Sequence, residues 1–185
     1  MRLLEGDKSP TILHIATHGF FAPDPKREQK MDFQMLFGQP NRYSLADDPL
    51  LRSGLLMAGC NDAWTGKAVL PGEEDGVLTA MEVSNMNLYK TKLVVLSACE
   101  TGLGDVKGRE GVFGLQRAFR MAGVQYMLLS LWRIPDEETK EYMDLFYGSL
   151  VKANDITKAY HTAQDTMRER YPTEPEKWAG MVLVE

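Results

Sequence analysis

Two short segments carry the residue types of nucleophilic catalysis. One reads Ile12-Leu-His-Ile-Ala-Thr-His18-Gly19 and the other Leu93-Val-Val-Leu-Ser97-Ala-Cys99-Glu-Thr-Gly102. In each, an apolar run ends in a chemically active residue, an imidazole in the first and a thiol in the second. Sulfur attacks a carbonyl as the thiolate, and a nearby imidazole can take its proton or hold it as an ion pair, lowering a pKa that starts near 8.5. His18 and Cys99 are 81 residues apart in sequence, so the chemistry requires a fold that brings two strand ends together. Gly19 follows the histidine. Lacking a side chain, it lets a substrate backbone approach, and its amide could face a developing oxyanion beside that of Cys99. Such donors contribute on the order of 3 kcal/mol each to acyl transfer.

Each of these residues also has a plainer role. A cysteine after a strand often serves as a small buried apolar residue. His14, inside the first run, is expected to be a satisfied core histidine. Cys60, in Ala58-Gly-Cys-Asn61, has no base nearby in sequence and reads as structural, and His161 reads as surface. Glu100 could orient a partner or raise the thiol pKa by repulsion, and a solvent-facing loop carboxylate is the simpler expectation. The glycine-rich turn Gly102-Leu-Gly104-Asp-Val-Lys-Gly108 has neither the dinucleotide-binding spacing nor the Gly-Lys-Ser/Thr ending of a phosphate loop. Lys107 and Arg109 in and beside it read as solvated charges.

The elements that must position these groups follow from periodicity. Ile12 to Ala16, Leu93 to Ser97 and Tyr126 to Leu131 are short apolar runs. All three read as strands buried on both faces, and the latter two lack the polar alternation of a half-wet sheet, which predicts a mostly parallel sheet. Helices are predicted over Thr79 to Asn85, Gly111 to Ala122, Asp136 to Leu150 and Ile156 to Arg170, with Trp178 to Val184 as a final strand or tail. The alternation is that of an α/β layered fold with helices flanking the sheet. Residues 22–53 carry four prolines and no sustained period, which predicts a long loop, a candidate lid or binding segment.

Composition narrows the function further. The 185 residues suit one domain, with 44% hydrophobic and 25% charged residues, as expected of a chain with a real core. A net charge of −5 offers no field to attract phosphate backbones or anionic lipid, so nucleic acid and membrane are not expected partners. Two cysteines are too few for a disulfide framework, and a cytoplasmic setting is expected.

Six ordered motifs give the chain a specific resemblance: Ala16-Thr-His-Gly19, Leu93 to Gly102, Gly111-Val-Phe-Gly-Leu-Gln-Arg-Ala-Phe119, Ala122-Gly123, Ser130-Leu-Trp132 and Trp178-Ala179. Together they resemble the CHAT domain, a caspase-like family of cysteine peptidases related to separases and often joined to tetratricopeptide repeats. The resemblance implies a caspase-type sheet, a dyad with His18 as base and Cys99 as nucleophile, and cleavage of a protein or peptide substrate without metal or organic cofactor. It also implies control by an upstream tetratricopeptide-repeat or sensor region. CHAT domains usually carry earlier strands than this chain begins with, so early strands are expected to be missing and the chain to be the carboxyl-terminal portion of a longer domain, with an open sheet edge near Ile12 to Ala16.

The same resemblance nominates two substrate-binding residues. Ser97, two before the cysteine, matches a position lining the specificity pocket of caspase-like relatives, and a strand-end hydroxyl satisfying backbone is its alternative role. Asp136 matches a separase acidic residue that receives a basic substrate side chain, and it also stands where a helix N-cap belongs. The leading expectation is therefore a cysteine endopeptidase. The alternatives are a non-catalytic interaction module on the same fold and, less well supported without a Cys-x-x-Cys pair, a thiol redox sensor.

Overall fold

The computed structural model describes residues 5–21, 48, 50–65, 74–97 and 108–185. Among these it contains seven strands and five α-helices. The main sheet has four strands in the order β1 (Ile12–Ile15), β5 (Leu93–Leu96), β6 (Tyr126–Ser130) and β7 (Met181–Val184). The first three run parallel, with Ile12 opposite Leu93 and Leu93 opposite Tyr126, and β7 closes the far edge antiparallel, with Ser130 opposite Met181. This is the α/β, mostly parallel sheet flanked by helices that the sequence implies.

One face of the sheet holds the larger apolar cluster. Leu13, Ile15, Val94, Leu96, Met127 and Leu129 pack there against α2 (Ala80–Ser84) and α3 (Gly108–Met121). The α3 residues Leu115, Ala118 and Phe119, with Ala122 after them, recur at helical spacing and are buried, so one apolar stripe of the helix meets the sheet. Gly123 follows at φ 98°, the left-handed conformation that ends a helix and favours glycine. Thr79 opens α2 with a reciprocal capping box: its hydroxyl accepts from the Glu82 amide at 3.2 Å while the Glu82 carboxylate accepts from the Thr79 amide at 2.8 Å.

The opposite face carries Leu93, Val95, Leu128 and Met181 under a helical hairpin, α4 (Asp136–Ala153) and α5 (Ile156–Arg170). Tyr142, Phe146 and Leu150 from α4 meet Ala159, Ala163 and Met167 from α5, each set at four-residue spacing, so both stripes point at the sheet and at each other. Asn154 turns the chain in a left-handed conformation, and the Asp155 side chain then accepts from the Lys158 amide at 2.9 Å to start α5.

A second sheet was not anticipated. β2 (His18–Phe21), β3 (Ser53–Leu56) and β4 (Val77–Thr79) form an antiparallel sheet in that order, with the short helix α1 (Cys60–Trp64) beside it. Ser53, given by the sequence to the long loop, is the first residue of β3; 22–47 and 49 of that loop, and 66–73 after α1, lie outside the described residues. Gly54 is needed in β3 because a Cβ there would lie 2.4 Å from the Leu78 carbonyl oxygen and 2.8 Å from the Phe20 ring.

The first apolar run also differs from expectation. β1 alternates between exposed and buried residues, with Ile12 39% exposed, because only the face carrying Leu13 and Ile15 packs into an apolar cluster. A strand with one neighbour and one covered face needs apolar residues at every second position only.

Candidate active site

The site is assembled by strand register. Ile15 is the ladder partner of Leu96, and Leu96 is in turn the partner of Leu129, so β1, β5 and β6 reach their carboxyl ends along one edge of the sheet. The ladder runs one step further, because the Ser97 amide donates to the Ile15 carbonyl at 3.0 Å. Crevices outside the carboxyl ends of parallel strands are where such sheets bind ligands.

At that edge the chain turns a corner. Ala16 and Thr17 carry it from β1 in the main sheet to β2 in the second one, and the Thr17 hydroxyl donates to the Leu56 carbonyl on β3. His18 is the first residue of β2, opposite Leu56, and is exposed; Gly19 follows, buried and opposite Leu55. The histidine is thus presented at the junction of the two sheets, at the carboxyl edge of the main one. Cys99 and Glu100 lie outside the described residues, as do Gly102 to Lys107.

Ser97 is half-buried, with its hydroxyl 2.9 Å from Nε2 of His14. The other ring nitrogen of His14, Nδ1, lies 2.9 Å from the Tyr147 hydroxyl of α4, and the two rings stack with centroids 5.8 Å apart. His14 is therefore a satisfied histidine but not a core one, since it occupies an exposed position on β1. Period-two alternation would have placed His14 and Ser97 on the same face of adjacent strands. Tyr147 has no such signal, because it belongs to a helix more than a hundred residues away.

Desolvation lowers the His14 pKa from the ordinary histidine value, and burial raises that of Tyr147. The imidazole is then neutral at neutral pH. The unfolded chain binds this proton more readily than the folded one, so stability is full above about pH 6.5 and falls as the pH drops below it toward the folded value. A His14→Gln protein should accordingly lose less thermal stability than the wild type between pH 7 and pH 5, measured by melting in parallel buffers. Carboxylates held low by partners, Asp7 by Lys90 and Glu141 by Arg170, respond only at lower pH.

Asp136 departs from one expectation. The N-cap position of α4 is Pro135, at φ −58° and ψ 150°, with no side-chain cap, and Asp136 is the first helical residue. A proline disfavours helical geometry in the residue before it, and as the cap itself its fixed φ suits the extended turn from Ile134, which is buried. Asp136 instead sits exposed beside Glu137 and Glu138 in the first turn, where negative charge opposes the helix dipole favourably. It supplies no cap, so its carboxylate is not committed to the helix amides. Cys60 is a free thiol at the start of α1, half-buried against the small cluster of Phe20, Ala63 and Val77.

Among the described residues no group of three or more His, Cys, Asp or Glu side chains could hold a metal ion, and no helix is long and apolar enough to cross a membrane. Comparison with known proteins finds similarity to Tetratricopeptide repeat protein 28 of Homo sapiens, 32% identical over 127 residues, which are 67% of this chain and 5% of that protein. The protein of the same name from Mus musculus is 32% identical over 109 residues, 58% of this chain and 4% of its own length. The chain thus spans about a twentieth of the length of these relatives. The model of the CHAT domain matches residues 1–185, the whole chain, and the chain belongs to the CHAT domain family.

Proposed function

We propose that this chain is a caspase-like cysteine endopeptidase domain. His18 takes the proton of Cys99, and the thiolate attacks a peptide carbonyl. Amides of Gly19 and Cys99 hold the oxyanion, and the imidazolium returns its proton to the leaving amine. Water, deprotonated by the same imidazole, then hydrolyses the thioester and frees the thiol. The observation that carries this reading is register: Ile15 and Leu96 are ladder partners, and His18 and Cys99 each follow their partner by three residues. Neighbouring strands are about 4.8 Å apart, so β1 and β5 deliver their carboxyl ends to adjacent points on one sheet edge, three residues before His18 and Cys99 in sequence.

Ser97 and Asp136 are assigned to substrate. Asp136, exposed and uncommitted to capping, would receive a basic side chain ahead of the scissile bond. The names of the relatives support control of the site by a tetratricopeptide-repeat region. Replacing Cys99 by Ala in the full polypeptide should abolish cleavage of a broad peptide library, and unchanged turnover rejects the dyad.

A second reading, a non-catalytic interaction module, is favoured by β1, whose outer edge has no strand partner among the described residues. Iodoacetamide separates the two. An activated Cys99 should be alkylated well below pH 8, whereas an ordinary thiol lags.

A further inference from the structure

The cluster of His14, Ser97 and Tyr147 joins β1, the end of β5 and α4, two residues in sequence before the proposed nucleophile, and the dyad mechanism makes no use of His14 or Tyr147. Its polarity follows from the chemistry of its members. His14 is neutral, so one ring nitrogen donates and the other accepts. A phenol is a far stronger acid than an aliphatic alcohol and hence the better donor to an imidazole lone pair. With Tyr147 donating its O–H to Nδ1, the Nε2–H is left to donate to the Ser97 oxygen, across two contacts of 2.9 Å each. Hydrogen bonds aligned head to tail polarise one another, and the chain ends on the Ser97 O–H, which has a hydrogen left to give.

We infer that Tyr147, His14 and Ser97 form a relay that presets the Ser97 hydroxyl as a hydrogen-bond donor to a carbonyl oxygen of the peptide substrate's main chain. The inference rests on the protease reading of the site and deepens it. Arg and Lys side chains carry donors only, so a basic side chain held by Asp136 offers Ser97 no acceptor, and the acceptor assigned to it is the backbone carbonyl that every substrate residue carries. The contact is then independent of substrate sequence. Ser97 touches substrate; His14 and Tyr147 are positioning residues.

Tyr147→Phe is the discriminating variant, because it deletes one oxygen that never meets substrate. Without the phenolic donor, Nδ1 is free to carry the ring proton and Nε2 to accept from Ser97, which turns the hydroxyl around. KM should rise about 3- to 10-fold, the range of one lost hydrogen bond, with kcat little changed. The factor should be the same for peptides bearing Arg, Lys or other residues ahead of the scissile bond. Ser97→Ala should match it, and adding Tyr147→Phe to Ser97→Ala should change KM no further, since residues acting through one contact are non-additive. Multiplying effects, or a KM change confined to one class of side chain, would overturn the relay.

Nitrogen-15 NMR of the imidazole provides an arm that needs no turnover. Wild-type His14 should carry its proton on Nε2, and Tyr147→Phe should shift it toward Nδ1. A wild-type ring protonated on Nδ1 overturns the proposed polarity even if cleavage is normal. Cleavage that survives Cys99→Ala instead removes the protease reading and the substrate contact with it, while the tautomer result decides the relay by itself.

Discussion

A His18→Ala protein is expected to lose about 10²- to 10⁴-fold in kcat/KM, the usual worth of a positioned general base. The loss should be accompanied by a change in thiol chemistry, because in the proposed dyad the imidazole holds Cys99 ready. Alkylation of Cys99 at mildly acidic pH, which the dyad predicts to be fast in the wild type, should slow to the rate of a free thiol. The fold should survive. His18 is exposed and begins a strand whose backbone is fixed by pairing with Leu56 and by the Thr17 hydroxyl on the same carbonyl segment. Melting and turnover measured on one preparation therefore separate the chemical effect from the structural one. If turnover falls only in proportion to the folded fraction, or if the alkylation profile does not move, His18 is not the base.

Phe146→Ala is expected to produce the largest loss of stability. Phe146 is fully buried at the centre of the cluster beneath the helical hairpin and meets the edge of the Tyr147 ring at 5.3 Å between centroids. Removing a buried phenylalanine costs about 3–5 kcal/mol in lost transfer energy and residual cavity. Against a total stability of roughly 5–15 kcal/mol that is a large share. For a domain of this size each kcal/mol lowers Tm by about 2–4 °C, so a fall of at least several degrees should appear in thermal melts. In urea the midpoint should drop with little change in slope. Met121→Ala serves as the contrast, since Met121 is 62% exposed and should change Tm little. Equal effects at the two positions would mean that the hairpin is not packed as described.

The helices were the most legible part of this fold in sequence. α5 runs from Ile156 to Arg170 as its spacing implies, and α4 begins at Asp136 and extends three residues past Leu150. Local patterns sufficed because a helix satisfies its own backbone, and its apolar stripe needs only one surface to meet. Strands β1, β5 and β6 were legible as apolar runs, but the one-sided burial of β1 was not, since a strand's surroundings depend on which neighbours it finds. β2, β3 and β4 escaped notice for the same reason. Each is three or four residues long, β3 contains Gly54, and β4 runs straight into the cap of α2. Nothing in such segments distinguishes a strand until its partner is known.

The site divides along similar lines. His18 and Gly19 stood out because a histidine-glycine pair ends an apolar run, and Ser97 because it precedes the cysteine by two. His14 was visible as a residue but its surroundings were not. The Ser97 hydroxyl that engages it belongs to another strand, and Tyr147, the other partner, comes from a helix beyond β6. Asp136 was correctly placed at the start of a helix, yet the cap itself is Pro135, whose extended geometry takes the position a polar side chain usually fills.

The footing of β3 has a consequence for anyone wishing to redesign this protein. Leu55 has no exposed surface and packs within the cluster under the main sheet, while its backbone is the ladder partner of Gly19 and its neighbour Leu56 is that of His18. The aim of the imidazole is consequently set from the interior outward. Reshaping the rim alone leaves that orientation untouched, whereas altering what surrounds Leu55 tilts the platform itself, so efforts to tune reactivity and efforts to harden the domain against heat converge on the same few hidden positions.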